Sequence, residues 1–351
     1  MSLACLALAS CQPAIATEWP LSTPAEQGVD ASKLEALAAE IADGHEFPGL
    51  HGLLVVRHGR LIFERYFAGY TADRLHMLQS VSKSVTSSLI GIAIDRGEIQ
   101  GVEEKVLDFF PDREGIENLD ARKRAMTLED MLTMRSGTDY HERGSGSPHS
   151  QLNSLARGWD RFVLNRPMVH QPGTHFQYDS GGVILMSSLI KARTGLHAHE
   201  YAVEHLFEPL GIEQRRWQTN SENHPHTGGG LSLRPRDMAR FGQMYLQRGQ
   251  WNGRQVVPEA WVDASFQRHV EFESPRGMVV GYGYLWWVLP PDPAGAGQQD
   301  IYAAMGFRAQ YIFVIPEHDM VVVVTGGTRS WRDERKPTEF LYSHILPSLV
   351  R

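Results

Sequence analysis

The first clear periodicity along the chain is in residues 28 to 44, GVDASKLEALAAEIADG, where Leu34, Leu37, Ala38 and Ile41 recur at helical spacing. Asp30 stands where a carboxylate would cap the first free N–H groups, and Gly44 stands where a left-handed residue would stop the last turn, so a helix is predicted between them. Residues 50 to 67, LHGLLVVRHGRLIFERYF, place two apolar runs around His58-Gly59, which predicts two strands joined by a tight turn. At Ser80 a polar run gives way to an apolar helix, and residues 100 to 235 read as mostly helix and loop. Within that stretch Thr127-Leu128-Glu129-Asp130 has the form of a capping box, Gly137 is expected to end the helix it starts, and HERGSGSPHSQ, residues 141 to 151, has the composition of a flexible surface loop. Strands return in GYGYLWWVL, AQYIFVIP and MVVVVTGG, and an amphipathic helix from about 336 to 348 closes the chain. No internal repeat is visible.

This order of elements predicts an α+β fold. Both chain ends join one antiparallel sheet, flanked by the first and last helices, with an inserted mostly helical region. A single domain then spans residues 18–351, its sheet part formed by 25–75 and 236–351 and its helical part by 76–235. The cleft between the two parts is the expected place for a site.

Composition narrows what such a site handles. The formal charge of -7 comes from interspersed charges with no basic block, which argues against a nucleic-acid partner. Both cysteines, Cys5 and Cys11, lie at the very start, so the folded body has no disulfide and no thiol for metal or nucleophilic work. The opening MSLACLALASCQPAIATEWP is an apolar run followed by small residues, too short to span a bilayer. It reads as an export signal over residues 1–17, although a basic leading segment is missing. Leu8-Ala9-Ser10-Cys11 resembles a bacterial lipoprotein cleavage box, after which Cys11 would be lipidated, and Ala14-Ile15-Ala16 offers an ordinary cleavage site instead. Either way the protein is expected to be exported, periplasmic or lipid-anchored in a bacterial envelope.

The candidate chemistry begins at Ser80-Val81-Ser82-Lys83. Residues i and i+3 share a helix face, so Ser80 and Lys83 can come within hydrogen-bond reach. The free N–H groups and positive dipole of a helix N-terminus favour negative charge on Ser80 and disfavour a charged Lys83. Taken alone, the pair is either an activated nucleophile with its base or the solvated first turn of an ordinary helix. A second Ser-x-x-Lys match, Ser188/Lys191, lies mid-helix. Tyr178-Asp179-Ser180 precedes another apolar helix. Tyr178 is either a core aromatic or a partner of Lys83, since a tyrosine beside an ammonium loses its proton more readily. His197-x-His199 and His224-x-His226 have the form of metal-ligand pairs but lack a carboxylate at a convincing spacing, so no metal is expected. Trp159, Trp217, Trp286, Trp287 and Trp331 are core or rim residues of which one or two would touch a substrate. Gly228-Gly229-Gly230 lacks the context of a phosphate loop and is expected to form a tight backbone turn near the cleft.

Six segments in order carry a resemblance. They are SVSKSVTSSLIGIAIDRGEI, LEDMLTMRSGTDY, PGTHFQYDSGG, GGGLSLRPRDMARFGQMYLQRGQWNGRQVVPEAWV, GYGYLWW and QYIFVIPEHDMVVVVTGG. Over roughly residues 25 to 348 the chain resembles the serine hydrolases related to penicillin-binding proteins and class C β-lactamases, which include esterases and 6-aminohexanoate-oligomer amidases. The resemblance implies a β-lactamase/penicillin-binding-protein-like fold, Ser80 as nucleophile, Lys83 as its base or proton shuttle, and Tyr178 as the relay to the leaving group, with no cofactor. Which of Lys83 and Tyr178 takes the first proton is left open, and the two are expected to titrate as a coupled pair. The second oxyanion donor beside the Ser80 N–H would be that of Phe307, after Gly306, a residue that permits close backbone approach.

Two departures from the resembled pattern bear on substrate. Ser180 stands where many relatives have asparagine, and Ala304-Met305-Gly306 stands where β-lactamases and carboxypeptidases have Lys-Thr-Gly, so the cation and hydroxyl that hold a substrate carboxylate are missing. Arg308 either restores a positive charge to the substrate site or is a strand arginine facing solvent. The expected substrate is a small ester or amide. β-Lactams or peptidoglycan peptides are the alternative, and a non-catalytic cell-wall-binding module is the third reading.

Overall fold

The computed structural model describes residues 19–111, 114–273, 278–292, 298–328, 330 and 332–350. The export segment with Cys5 and Cys11, and Trp331, lie outside them. The first helix, α1 (Ala31–Asp43), forms as its pattern predicts: Asp30 accepts from the Ser32 N–H, Gly44 ends it at φ 74, and Leu34, Leu37, Ala38 and Ile41 are buried. The hairpin follows as β1 (Leu50–Arg57) and β2 (Arg60–Tyr66). His58 and Gly59 between them are both left-handed, at φ 50 and 70, as a two-residue turn between twisted strands requires.

Beyond it come β3 (His76–Met77), the central helix α2 (Val81–Asp95), β4 (Arg215–Trp217), β5 (Leu231–Leu233), β6 (Gln250–Trp251), β7 (Arg254–Gln255), β8 (Val270–Glu273), β9 (Val279–Tyr282), β10 (Trp287–Leu289), β11 (Ile301–Gly306), β12 (Gln310–Ile315) and β13 (Met320–Gly326). The main sheet has eight strands in the order β2-β1-β13-β12-β11-β10-β9-β8, all antiparallel. The two ends of the chain meet in it, with Leu53 opposite Val324 and Val55 opposite Val322.

Both faces of this sheet are covered, which explains why β1 and β13 read as unbroken apolar runs. Leu53, Val55, Val322 and Val324 pack with α1 and the closing helical turns, including Phe340 and Ile345. Leu54, Val56, Val321 and Val323 face the other way, into a core shared with Val85, Leu89 and Met238. Alternation along each strand therefore distributes apolar residues between two cores. The inserted region packs on the second face and places α2 in the middle of the molecule, with 13 of its residues buried. Gly91 is needed there because a methyl at that position would lie 2.3 Å from the Trp261 ring.

Several local expectations need correction. The capping box at Thr127 forms, with Asp130 answering it, but the helix ends at Leu132 and not at Gly137, because Met134 already turns left-handed. Gly137 serves a later turn, where a methyl would come 2.7 Å from the His170 carbonyl oxygen. Residues 141–151 are only partly loop: Ser147 caps a helix, Pro148–Ser154, in which Pro148 takes the first position. GYGYLWWVL is two strands, since Gly283 is pressed so close to the Ser265 carbonyl that the chain leaves the sheet between Tyr282 and Trp287. The closing segment is α-helical only over Lys336–Phe340, and wider and tighter turns follow to Ser348. The mostly helical region also carries a three-stranded sheet of order β3-β5-β4.

Candidate active site

Strand β3 delivers the chain to Ser80 through Gln79, a non-glycine residue held at φ 50. Such a backbone is tolerated where surrounding contacts fix it, and here it turns Ser80 out of the strand and onto the start of α2. The solvated-turn reading of this stretch is excluded by burial. Lys83 is 1% exposed, and Ser82, Ser84, Thr86, Ser87 and Ser88 are buried with it. Several of those hydroxyls are satisfied by backbone oxygens: Ser84 by Leu285, Thr86 by Ser82 and Thr227, and Ser88 by Ser84. These acceptors offset the cost of burying the hydroxyls, although that of Ser87 is buried without a partner.

The Lys83 Nζ donates to the Ser80 Oγ at 2.8 Å and to the Gly228 carbonyl at 2.7 Å. Burial pulls the Lys83 ammonium down to about 8, with the Glu142 and Asp179 carboxylates opposing the shift. The Tyr178 hydroxyl also faces Ser80, which draws its pKa downward. Its ring lies under the lysine, 4.9 Å from Nζ, and stacks on Trp287 at 5.9 Å between centroids. The three residues are thus brought together from α2 and from the start of the helix Ser180–Thr194.

One expectation about them fails. Tyr178 does not lose its proton more readily in this setting: burial, and then Glu142, push its hydroxyl well above the ordinary tyrosine value, and the nearby Ser80 hydroxyl offsets only part of this. Lys83 and Tyr178 therefore diverge, one towards the neutral amine and the other towards the neutral phenol.

Ser180 is buried at the first position of its helix, while Asp179 is the N-cap, accepting from the Gly182 N–H at 2.8 Å and from Ser136 at 2.9 Å. Burial raises the Asp179 carboxyl to about 6. Ser180 uses both its N–H and its hydroxyl on the Glu142 carboxylate. The shorter group in the asparagine position is thus already engaged with a neighbouring side chain.

Gly306 is required for an approach between backbones. A methyl there would lie 2.3 Å from the Leu78 carbonyl oxygen and 3.2 Å from the Gln79 Cβ, so the end of β11 is seated on the segment that presents Ser80. Phe307 follows directly, half exposed. Among the described residues neither the Ser80 nor the Phe307 N–H donates to a carbonyl or side chain. Arg308 belongs to the turn after the strand: it is exposed, left-handed at φ 63, with its guanidinium over the Phe307 ring at 5.9 Å.

Gly228-Gly229-Gly230 forms the predicted turn beside the cleft. Gly228 lies against Ser180, Gly229 against Gln79, and Gly230 against His226, where a methyl would be 2.9 Å from Cβ. His226 faces Lys83, is held neutral by burial that lowers it to about 4, and pairs through Nε2 with Asn153 Oδ1 at 3.0 Å. Trp159 meets its ring edge-on at 5.5 Å, and Trp217 donates to its carbonyl. Trp286 is core, whereas Trp287 lines the site. His197 and His224 approach to 5.0 Å, but among the described residues no group of three histidine, cysteine or acidic side chains is placed to hold a metal ion. Lys191 of the second Ser-x-x-Lys match bonds His197 and stands apart from the Ser80 cluster.

Sequence reasoning missed Glu142 and Asn153. Glu142 lies in a stretch whose glycines and serines mark only a loop. The Ser147-Pro148 pair, a cap followed by a first-turn proline, is the signal that would have placed Asn153 on a helix.

Comparison with known proteins shows the family. The beta-lactamase family model matches residues 34–340. The 6-aminohexanoate-dimer hydrolase of Paenarthrobacter ureafaciens is 27% identical, with 94% of this chain and 85% of the relative aligned. Among solved structures, a putative 6-aminohexanoate-dimer hydrolase from Bacillus anthracis superposes with TM-score 0.75 at 22% identity, covering 96% of this chain and 89% of the other. EstCE1, a hydrolase with promiscuous acyltransferase activity, gives TM-score 0.76 at 16% identity, covering 93% and 100%. A buried serine and lysine at the start of a central helix, flanked by a tyrosine and a sheet edge, and a family match over most of the length lead to one conclusion: the chain belongs to the beta-lactamase family of serine hydrolases.

Proposed function

We propose that the protein hydrolyses small esters or amides through an acyl-enzyme on Ser80. The observation that carries this reading is the 2.8 Å contact from the Lys83 Nζ to the Ser80 Oγ in a setting where burial brings the amine down to about 8. An amine so placed exists partly as a free base near neutral pH and can take the hydroxyl proton as Ser80 attacks a carbonyl carbon. The oxygen of the tetrahedral intermediate is then held by the N–H groups of Ser80 and Phe307. Tyr178, a neutral phenol facing Ser80, passes the proton from Lys83 to the leaving group and stays a conduit rather than a base. Water completes the cycle by the same path in reverse. No cofactor is called for.

The substrate class rests on what lines the cleft. Ala304 is buried in the core and Met305 points to the other face of the sheet, so the position that would anchor a carboxylate carries neither cation nor hydroxyl. Glu142 adds a negative charge beside Lys83 and Tyr178. Uncharged acyl groups fit this lining better than the carboxylates of β-lactams. A curated relative named for 6-aminohexanoate-dimer hydrolysis supports the same choice.

Export is part of the proposal. The apolar segment before residue 18 supports it, and lipidation at Cys11 is supported by Leu8-Ala9-Ser10. The mass of the protein recovered from cell envelopes distinguishes a lipidated Cys11 from cleavage after Ala16.

The deciding experiment is intact mass after fluorophosphonate treatment of wild type and Ser80→Ala. One adduct on the wild type and none on the folded variant is expected. An unlabelled wild type would remove the nucleophile, and labelling of the variant would place it elsewhere.

A further inference from the structure

At the start of β12 lies a buried amide with no role in the proposed chemistry. Gly306 and Gln310 pair across the β11–β12 hairpin. The loop between them includes two consecutive left-handed residues that are not glycine, Arg308 and Ala309, both at φ 63. Side chains with a Cβ avoid that region unless neighbouring contacts impose it.

Gln310 supplies the contact. It is 2% exposed, and its Nε2 donates to the Arg308 carbonyl at 3.0 Å and to the Gly326 carbonyl at 2.6 Å. One side chain thus ties the first left-handed residue to the end of β13. Packing closes around the same link: a methyl on Gly326 would be 2.8 Å from the Arg308 oxygen, and one on Gly306 would be 3.2 Å from the Gln310 Cβ. The Gln310 Oε1 is buried without a partner, so the donor end alone sets the orientation of the amide. With Gly306 fixed by strand pairing and the Arg308 carbonyl fixed by Gln310, little freedom remains for the Gly306–Phe307 peptide between them.

We propose that Gln310 is a positioning residue that aims the Phe307 N–H at the oxygen on which charge develops. This rests on the reading of Ser80 and Phe307 as the two oxyanion donors. Loss of the clamp lets the left-handed pair relax and swings the donor away, while Ser80, Lys83 and Tyr178 stay in place.

The test compares wild type, Gln310→Met, which keeps the length of the side chain but donates nothing, and Thr325→Val, which removes a buried, unpartnered hydroxyl from the neighbouring strand. Each is assayed for kcat and KM on a p-nitrophenyl ester, for inhibition by a boronic acid that forms a tetrahedral adduct, and for Tm. The folded Gln310→Met protein is expected to lose roughly 10- to 100-fold in kcat with KM changed less than about threefold, and boronate affinity is expected to fall in step with kcat/KM. Thr325→Val is expected to keep the wild-type kcat. If Gln310→Met does not fold, Gln310→Leu, which also donates nothing, is read in the same way. A folded variant with wild-type kcat, or one in which only KM or Tm moves, overturns the proposal. A wild type that neither turns over nor labels at Ser80 overturns the parent reading instead, so the two failures are distinct.

Discussion

The Glu142 carboxylate accepts from both the N–H and the hydroxyl of Ser180, and this fixes a negative charge beside Lys83 and Tyr178. The charge has opposite uses for its two neighbours. It holds the lysine nearer its protonated state, and it discourages ionisation of the tyrosine.

Glu142→Gln keeps an acceptor for Ser180 and removes the charge. The amine then loses the stronger of the two carboxylates that counter its burial, so its pKa falls further below about 8. The alkaline rise of kcat/KM is expected to move to lower pH by roughly half a unit to one unit. A pH profile of the variant and the wild type on one ester checks this; an unmoved midpoint would show that Glu142 is screened from the lysine.

In the wild type, kcat/KM is expected to rise with pH to a plateau, with a midpoint near 8, because the free amine is the active form. Stability follows the same group with a definite sign. Below about 8 both folded and unfolded chains carry the proton, and the cost of burying the ammonium is fully present. Between there and the ordinary value of 10.5 the native state releases the proton first, so this cost disappears as pH rises. Its size is on the order of 3 kcal/mol, offset in part by the bonds to Ser80 and Gly228. Lys83→Met is therefore expected to be inactive yet at least as stable as wild type at pH 7, with its relative advantage shrinking towards pH 10; urea melts at both pH values measure it.

Tyr178→Phe retains the stack on Trp287 and removes the hydroxyl that faces Ser80. Loss of proton delivery is expected to lower kcat by about 10²- to 10⁴-fold, while Tm changes little. The loss is expected to be smaller for p-nitrophenyl esters, whose leaving group departs without a proton, than for anilides. Equal losses on both would assign the hydroxyl to the attack step.

Penicillins are expected to acylate Ser80 slowly, since neither Ala304 nor Met305 offers a partner for their carboxylate. Intact mass after incubation with micromolar benzylpenicillin reads this directly. Stoichiometric adduct within minutes would show that another cation, with Arg308 the first to test, fills the missing role.

The spacing of Ser80 and Lys83 and the segment order around them make the fold and the pair legible in the sequence. Burial is not legible there. A run such as Ser82, Ser84, Thr86, Ser87 and Ser88 looks half solvated until its carbonyl partners on residues 227 and 285 are known, and those contacts are far apart in the chain. Glu142 is hidden for a related reason: a loop carboxylate gains meaning only from the helix end that faces it. Gly306 stands out as a site of close approach, yet what approaches it is Leu78, a relation that no local pattern contains. The ionisation of Tyr178 runs against its motif because a neighbouring cation is visible in a motif, whereas burial and a distant carboxylate are not.

Because α2 is packed on every side, with Gly91 wedged against Trp261, the proposed nucleophile Ser80 sits at the tip of the least replaceable element of the molecule. Variation that retunes what is accepted is thereby directed to exposed side chains at the rim such as Phe307 and Arg308, since the Gly228 carbonyl holds Lys83 and Gly230 has no room for a methyl beside His226. The chemistry is inherited with the core, and the substrate range is free to drift at its edge.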